Sequence, residues 1–213
     1  MKYNFMIPYR DMQGYLDIIS SKLPSYLDEQ GIDYNIIIVE QEDGKMFNLG
    51  KLINIAFDLY KKGETGYEYS KDDVLIWYPV DCAPVDINFD MKGSESVVYC
   101  ADDPWYGKAV SYYNWAFEKV NGFGNEYWGH GREDDDMFVR LGACNVKVER
   151  RECNLSFIPH APRDTSHRAH SSDKLLLKMQ RLHNYMDSGL NNLEYSILDR
   201  TTINGIDKIR VSL

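Results

Sequence analysis

Between Tyr3 and Tyr78 the hydrophobic pattern alternates between short β-branched runs and stretches with helical spacing, and this alternation constrains the fold more than any other feature. Tyr3 to Pro8 reads as a buried strand. Asp11 to Glu29 carries Leu16, Ile19, Leu23 and Leu27 at helical spacing. Asp33 to Glu40 (DYNIIIVE) is a β-branched run too short for a typical helix, so it predicts a buried strand. A second helix is expected over Asn48 to Lys62, and a third strand over Asp73 to Tyr78. Strand and helix in alternation predict an α/β chain with a mostly parallel central sheet flanked by helices. Sheets of that kind bind ligands beyond the carboxyl ends of their strands. Polar clusters stand at those ends: Pro8-Tyr9-Arg10, Glu40-Gln41 and Val80-Asp81.

Farther along, Tyr112 to Lys119 reads as a short helix and Asn121 to Asn125 as a turn. Glu133 to Leu141 reads as a helix opening on acids, and Asn145 to Arg150 as a strand. Asp173 to Asp187 has strong helical periodicity, and Tyr195 to Leu213 reads as one or two strands. With 213 residues and no linker or repeat, one domain over 1–213 is expected. The formal net charge is -9, with no basic patch, which argues against nucleic acid as a partner. Cys82, Cys100, Cys144 and Cys153 show no CxxC pair, so a zinc site is not indicated. No apolar run approaches the roughly 20 residues of a membrane span. No run of signal-peptide length stands at the N-terminus either. A cytoplasmic protein is therefore expected, with peripheral membrane contact left open.

The densest polar feature is Tyr127-Trp128-Gly129-His130-Gly131-Arg132-Glu133-Asp134-Asp135-Asp136. One or two acids at a helix start complement the helix dipole and cap free N–H groups. Four in a row repel one another, which suggests that something else is bound nearby. A single carboxylate within hydrogen-bond reach can deprotonate an attacking sugar hydroxyl. Glycoside hydrolysis instead needs two carboxyls facing across a bond, about 5 to 9.5 Å apart. Adjacent Asp134 and Asp135 diverge by about 100° on a helix and cannot form that pair, although Asp81 could partner one of them. Trp128 offers an apolar face on which sugar C–H groups pack.

The segment Asn121 to Leu141, NGFGNEYWGHGREDDDMFVRL, resembles the NGF-x-N-x-YWGWGGEDDD-x-x-x-RL motif of the beta-1,4-galactosyltransferase family (glycosyltransferase family 7). Other segments fall into register along nearly the whole chain. Ile7-Pro8-Tyr9-Arg10-Asp11 resembles the family's V-P-[FY]-R-[DN]. Phe47-Asn48 with Lys51-Leu52-Ile53-Asn54 resembles FNRAKLLN. Pro79-Val80-Asp81 stands where the family has Asp-Val-Asp, and Pro159-His160 through Arg163-Asp164 resembles H-x-R-D. Asp187 to Tyr195 resembles DGLNSLxY.

The resemblance implies a GT-A-type nucleotide-sugar-binding fold and inverting transfer of a hexose from a UDP-sugar to a glycan or glycolipid acceptor. The hexose would be galactose, N-acetylgalactosamine or glucose, and the setting polysaccharide biosynthesis. Asp134 would be the general base. Pro8, Tyr9, Arg10, Phe47, Val80, Asp81, Trp128 and Glu133 would bind the donor. Trp105, Gly129, His130 and Asp135 would meet the acceptor, and Asp81 with His160 would hold Mn2+. A metal on the diphosphate neutralises the leaving group, so no general acid is needed.

This chain also departs from the family pattern. Pro79 replaces the first Asp of Asp-Val-Asp, and Phe157 or Pro162 falls at a third ligand position, so the metal would be weakly held. Met12 and Leu49 replace arginines, and Arg132 replaces a glycine. His130 replaces the motif's second Trp, and Trp105 a tyrosine, which leaves the donor sugar open. Lys108 or Arg132 could restore the lost positive charge, or Arg132 could pair with a neighbouring acid. The alternatives to a transferase are a noncatalytic sugar- or UDP-sugar-binding protein and a hydrolase using Asp81 and Asp134.

Overall fold

The computed structural model describes residues 1–84, 89–94, 96–129 except 101–108, 131–151, 156–158 and 187–213. Ten strands and four α-helices are assigned among them. In chain order they are β1 (Tyr3–Tyr9), α1 (Gln13–Glu29), β2 (Tyr34–Gln41), α2 (Leu49–Lys61), β3 (Val74–Trp77), β4 (Cys82–Ala83) and β5 (Val97–Cys100). There follow β6 (Val110–Tyr113), α3 (Asn114–Lys119), α4 (Glu133–Ala143), β7 (Val148–Arg151), β8 (Ser156–Phe157), β9 (Ser196–Ile203) and β10 (Ile206–Ser212).

The main sheet has the order β7-β5-β6-β3-β1-β2-β10-β9. Its centre, β3-β1-β2-β10, is parallel, as the alternating pattern predicts. β6 runs antiparallel between β3 and β5, and β9 folds back on β10 as an antiparallel edge. The β9–β10 hairpin turns through Asn204 and Gly205, both at positive φ, the dipeptide that favours a two-residue hairpin loop.

Side chains alternate across the central strands and feed two cores. Phe5, Ile7, Tyr9, Ile36, Ile38, Val74 and Ile76 face α1, where they meet Leu16, Ile19, Leu23 and Leu27. Met6, Ile37, Val39, Leu75 and Trp77 face the other way, against α2, α3 and α4. The four α1 residues are fully buried. Each contributes about 1.5–3 kcal/mol relative to exposure. That burial on both faces explains why these strands are apolar without alternation.

The expected short helix over Tyr112 to Lys119 is shorter than its pattern. Tyr112 and Tyr113 end β6, and the helix begins at Asn114. Tyr112 pairs with Leu75, Tyr113 pairs with Val74, and the N–H of Asn114 donates to the carbonyl of Asp73. Pairing with β3 therefore holds the chain extended two residues longer than the local pattern indicates. The helix expected over Asp173 to Asp187 lies outside the described residues except for Asp187.

Candidate functional site

The parallel centre brings the ends of β1, β2 and β3 to one edge. Tyr9 is in register with Glu40, and Met6 with Trp77. Pro8 lies beyond Met6, the last β1 residue to pair with β3, so its missing N–H removes no ladder bond there. Past β3 the chain runs through Val80 and Asp81, which are 6% and 1% exposed. A small second sheet, β4 with β8, pairs Cys82 with Phe157 and Ala83 with Ser156. The N–H of Ile158 donates to the Asp81 carbonyl at 2.8 Å. The chain just before His160 is thus tied to Asp81. His160, His130, Trp105 and Lys108 themselves lie outside the described residues.

The loop from β2 to α2 is built around Gln41. Its side chain donates to Asp43 Oδ1 and to the Met46 carbonyl, each at 2.9 Å, and accepts from the N–H of Asn48 at 2.9 Å. Asn48 then caps α2 by accepting from the N–H of Lys51. This bracing sets Phe47, whose carbonyl accepts from the N–H of Gly129 at 2.8 Å. Arg10 donates to the Lys45 carbonyl at 2.6 Å. Arg10, Phe47, Trp128 and Gly129 are therefore held in one neighbourhood, Arg10 through its guanidinium and Gly129 through its main chain. Asp43 is held below the usual carboxylate range. Burial alone pushes it up, but donation from Gln41 and from the N–H groups of Leu213 and Lys45 outweighs that.

The four acids at the start of α4 have four different surroundings. Glu133 is buried. Asp134 is half-buried and lines a small apolar recess with Val97, Val110, Tyr112, Met137, Phe138, Leu141 and Val148. Burial pushes its carboxyl well above the ordinary range, and the charges of Glu133 and Asp135 push it further. The same burial, with Asp134 close by, raises Tyr112. Asp135 pairs with Arg132 at 3.0 Å, both partly exposed. Asp136 is fully buried and bonded to Arg140. Of the two roles open for Arg132, the structure shows the ion pair with a neighbouring acid. It shows a backbone cost too, since Arg132 sits at φ 81, where the family has glycine.

What holds this segment in place was not evident from residue chemistry alone. Arg140 Nη1 donates to the carbonyls of Gly122 at 3.3 Å and Ser188 at 2.8 Å. Asn54 of α2 donates to the Phe123 carbonyl and to Asn125 Oδ1, and accepts from the N–H of Phe123. Asn125 in turn donates to the Gly189 carbonyl and to Asn192. A Cβ on Gly189 would lie 1.9 Å from the Asn121 carbonyl oxygen. The three motifs around Asn54, Asn121–Asn125 and Ser188–Asn192 thus form one amide network, buried at Asn54, exposed at Asn192 and joined to α4 through Arg140. Their occurrence together in the sequence was the available signal.

Comparisons with known proteins bear on the fold and the family. The chain superposes on the catalytic domain of Drosophila beta-1,4-galactosyltransferase 7 in complex with xylobiose, with a TM-score of 0.81, 24% identity, and 100% and 94% of the two chains covered. A mutant of the same enzyme in complex with manganese, UDP-Gal and xylobiose gives a TM-score of 0.77 at 22% identity, with the same coverage. These likenesses define a GT-A-type fold. Residues 1–89 match the N-terminal region of glycosyl transferase group 7, and residues 102–164 match a profile described as the N-terminal domain of galactosyltransferase. Rat (Rattus norvegicus) beta-1,4-galactosyltransferase 4 is 28% identical over 91% of this chain, and the human (Homo sapiens) protein 31% over 68%. The chain spans 58% of the rat protein's length and the match covers 44% of the human one. The chain belongs to glycosyltransferase family 7, the family of the beta-1,4-galactosyltransferases.

Proposed function

We propose that this chain is an inverting glycosyltransferase that moves a hexose from a UDP-sugar to a hydroxyl of a glycan or glycolipid, with Asp134 as general base. The observation that carries the proposal is the placement of Asp134. A carboxylate raised by burial in an apolar recess between α4 and strands β5, β6 and β7 sits on a helix start anchored by its neighbours. A base with a raised pKa takes a hydroxyl proton more readily than an ordinary carboxylate. The acceptor oxygen bonds to the anomeric carbon, the carbon–oxygen bond to UDP breaks, and the proton passes to Asp134. Attack opposite the leaving group inverts the anomeric carbon.

Galactose is the preferred hexose, because the related enzymes are beta-1,4-galactosyltransferases and a fold neighbour binds UDP-Gal. Asp81 supports a divalent ion. It is a buried carboxylate at the strand edge whose main chain is tied to the segment leading to His160. A carboxylate with a histidine suits Mn2+ by ligand type, and manganese is present in that fold neighbour's complex. Bound there, the ion would neutralise the diphosphate as it leaves.

A reducing, cytoplasmic setting and a role in polysaccharide biosynthesis belong to the same proposal. Cys82 and Cys144 are both thiols. Among the described residues no helix is long and apolar enough to cross a membrane.

The test is a thermal-shift series with UDP-sugars, with and without Mn2+. A ligand bound only by the folded state stabilises it by mass action, about 2.7 kcal/mol at a hundred times Kd. UDP-Gal with Mn2+ is expected to raise Tm. No shift with any UDP-sugar would overturn the proposal.

A further inference from the structure

Two lysines share one indole at the edge where β1 and β2 end. Lys45 Nζ lies 5.5 Å from the Trp128 ring centroid, and Lys51 Nζ lies 5.9 Å from it. They differ in surroundings. Lys45 is exposed and donates to the backbone oxygen of Leu213. Lys51 is only 9% exposed, and among the described residues its ammonium has the indole as neighbour but no hydrogen-bond acceptor. Burial lowers the Lys51 pKa, and the charge of Lys45 lowers it further; Glu194 and Asp43 act the other way from a distance. Arg10 adds a third cation, held to the Lys45 carbonyl.

Cation–π contact with a tryptophan is a modest attraction. That does not explain why two ammoniums of like charge are brought to the same ring in a chain of net charge -9. A buried lysine needs a counter-charge or hydrogen-bond acceptor to offset its desolvation. An anion between the two ammoniums would offset both the burial and their mutual repulsion. The place is specific as well. Lys51 is in the first turn of α2, three residues after the Asn48 cap, and Phe47 and Gly129 are joined beside it.

We propose that Lys51 and Lys45, on the face of Trp128, bind phosphate oxygens of a diphosphate, with the buried Lys51 as the principal contact. As the diphosphate of the donor, this assignment rests on the UDP-sugar function proposed above. It gives the chain a cation pair at a strand edge where Met12 and Leu49 offer none. Trp128 orients the pair and is in turn held by it.

The experiment compares wild type, Lys51→Met, Lys51→Arg and Lys45→Met, using thermal shift and calorimetry with inorganic pyrophosphate, UDP and uridine. Lys51→Met keeps the buried aliphatic stem of the side chain, so without ligand it is expected to fold with a Tm close to wild type. It should lose at least tenfold in affinity for pyrophosphate and UDP and keep its affinity for uridine. Lys51→Arg should retain most of the binding, and Lys45→Met should show a smaller loss. Unchanged pyrophosphate and UDP affinity in Lys51→Met would overturn the proposal, as would a wild type that binds neither. If pyrophosphate binds and is lost in Lys51→Met while UDP does not bind, the anion pair stands and the UDP-sugar function falls.

Discussion

Arg140 and Asp136 form a fully buried ion pair one turn apart on α4, with Nε donating to Oδ2 at 2.8 Å. The other end of the guanidinium reaches the carbonyls of Gly122 and Ser188, and Asp136 also lies beside the Tyr127 hydroxyl. The pair therefore fixes the start of α4 to the turn before it and to the segment after Asp187. Of four consecutive acids, the last is structural.

Breaking this pair should be costly. Removing one partner of a buried pair leaves an uncompensated charge and costs about 3–5 kcal/mol. Arg140→Met is expected to lower Tm by roughly 10 °C or to prevent folding, at about 2–4 °C per kcal/mol for a chain of this size. Adding Asp136→Leu should recover part of the loss, which thermal denaturation would show. A Tm for Arg140→Met within 2 °C of wild type, roughly 1 kcal/mol at most, would contradict the anchoring role.

The amide network makes a coupled prediction. Asn54→Ala removes one acceptor and two donor bonds to the Phe123–Asn125 turn and should cost about 2–4 kcal/mol in urea denaturation. Gly122 sits at φ +64, and a Cβ there would lie 2.4 Å from Asn54 Oδ1. Gly122→Ala should therefore also destabilise, and by less once Asn54 is already alanine. Additive losses in the double mutant would show that the two positions are independent.

Much of this was legible in the chain itself. The parallel centre followed from runs such as Asn35–Val39, and the α4 start from its acids. Two kinds of feature were not. The β6 strand is hidden because Tyr112 and Tyr113 fit helix or strand locally, and only pairing with Val74 and Leu75 decides. The position of β10 next to β2 depends on contacts roughly 170 residues apart in sequence. At the site, the roles of Asp135 and Asp136 could not be divided from sequence, because helix geometry assigns directions but not partners. Lys51 did leave a trace: it is a lysine inside GKLINIAF, where α2 is buried on every side.

Arg132 offers a test of backbone strain against charge. A non-glycine residue in the left-handed region costs about 1–2 kcal/mol, and its exposed pair with Asp135 returns less than about 1 kcal/mol. Arg132→Gly is expected to be neutral or to stabilise by up to about 1 kcal/mol, with UDP affinity unchanged by calorimetry. A tenfold loss of UDP affinity would mean that Arg132 contacts the donor.

Asp134 should cost stability at neutral pH. Its folded pKa is raised above the unfolded value, so its contribution to stability is fully present below the unfolded pKa. That contribution is lost as pH rises through the folded pKa. Asp134→Asn is expected to raise Tm at pH 7 and above, and to leave it little changed near pH 3. In wild type, turnover should fall as pH drops below the raised pKa. A variant less stable than wild type at pH 8 would contradict the burial of this carboxylate.

The most direct test of Asp134 as base of an inverting transfer is the product itself. Wild type would be supplied with UDP-α-galactose, Mn2+ and a panel of sugar acceptors, and the new linkage read by proton NMR. The predicted result is a β-linked product, with at least a hundredfold loss of turnover in Asp134→Asn and UDP affinity retained. An α-linked product, or full turnover in Asp134→Asn, would contradict it.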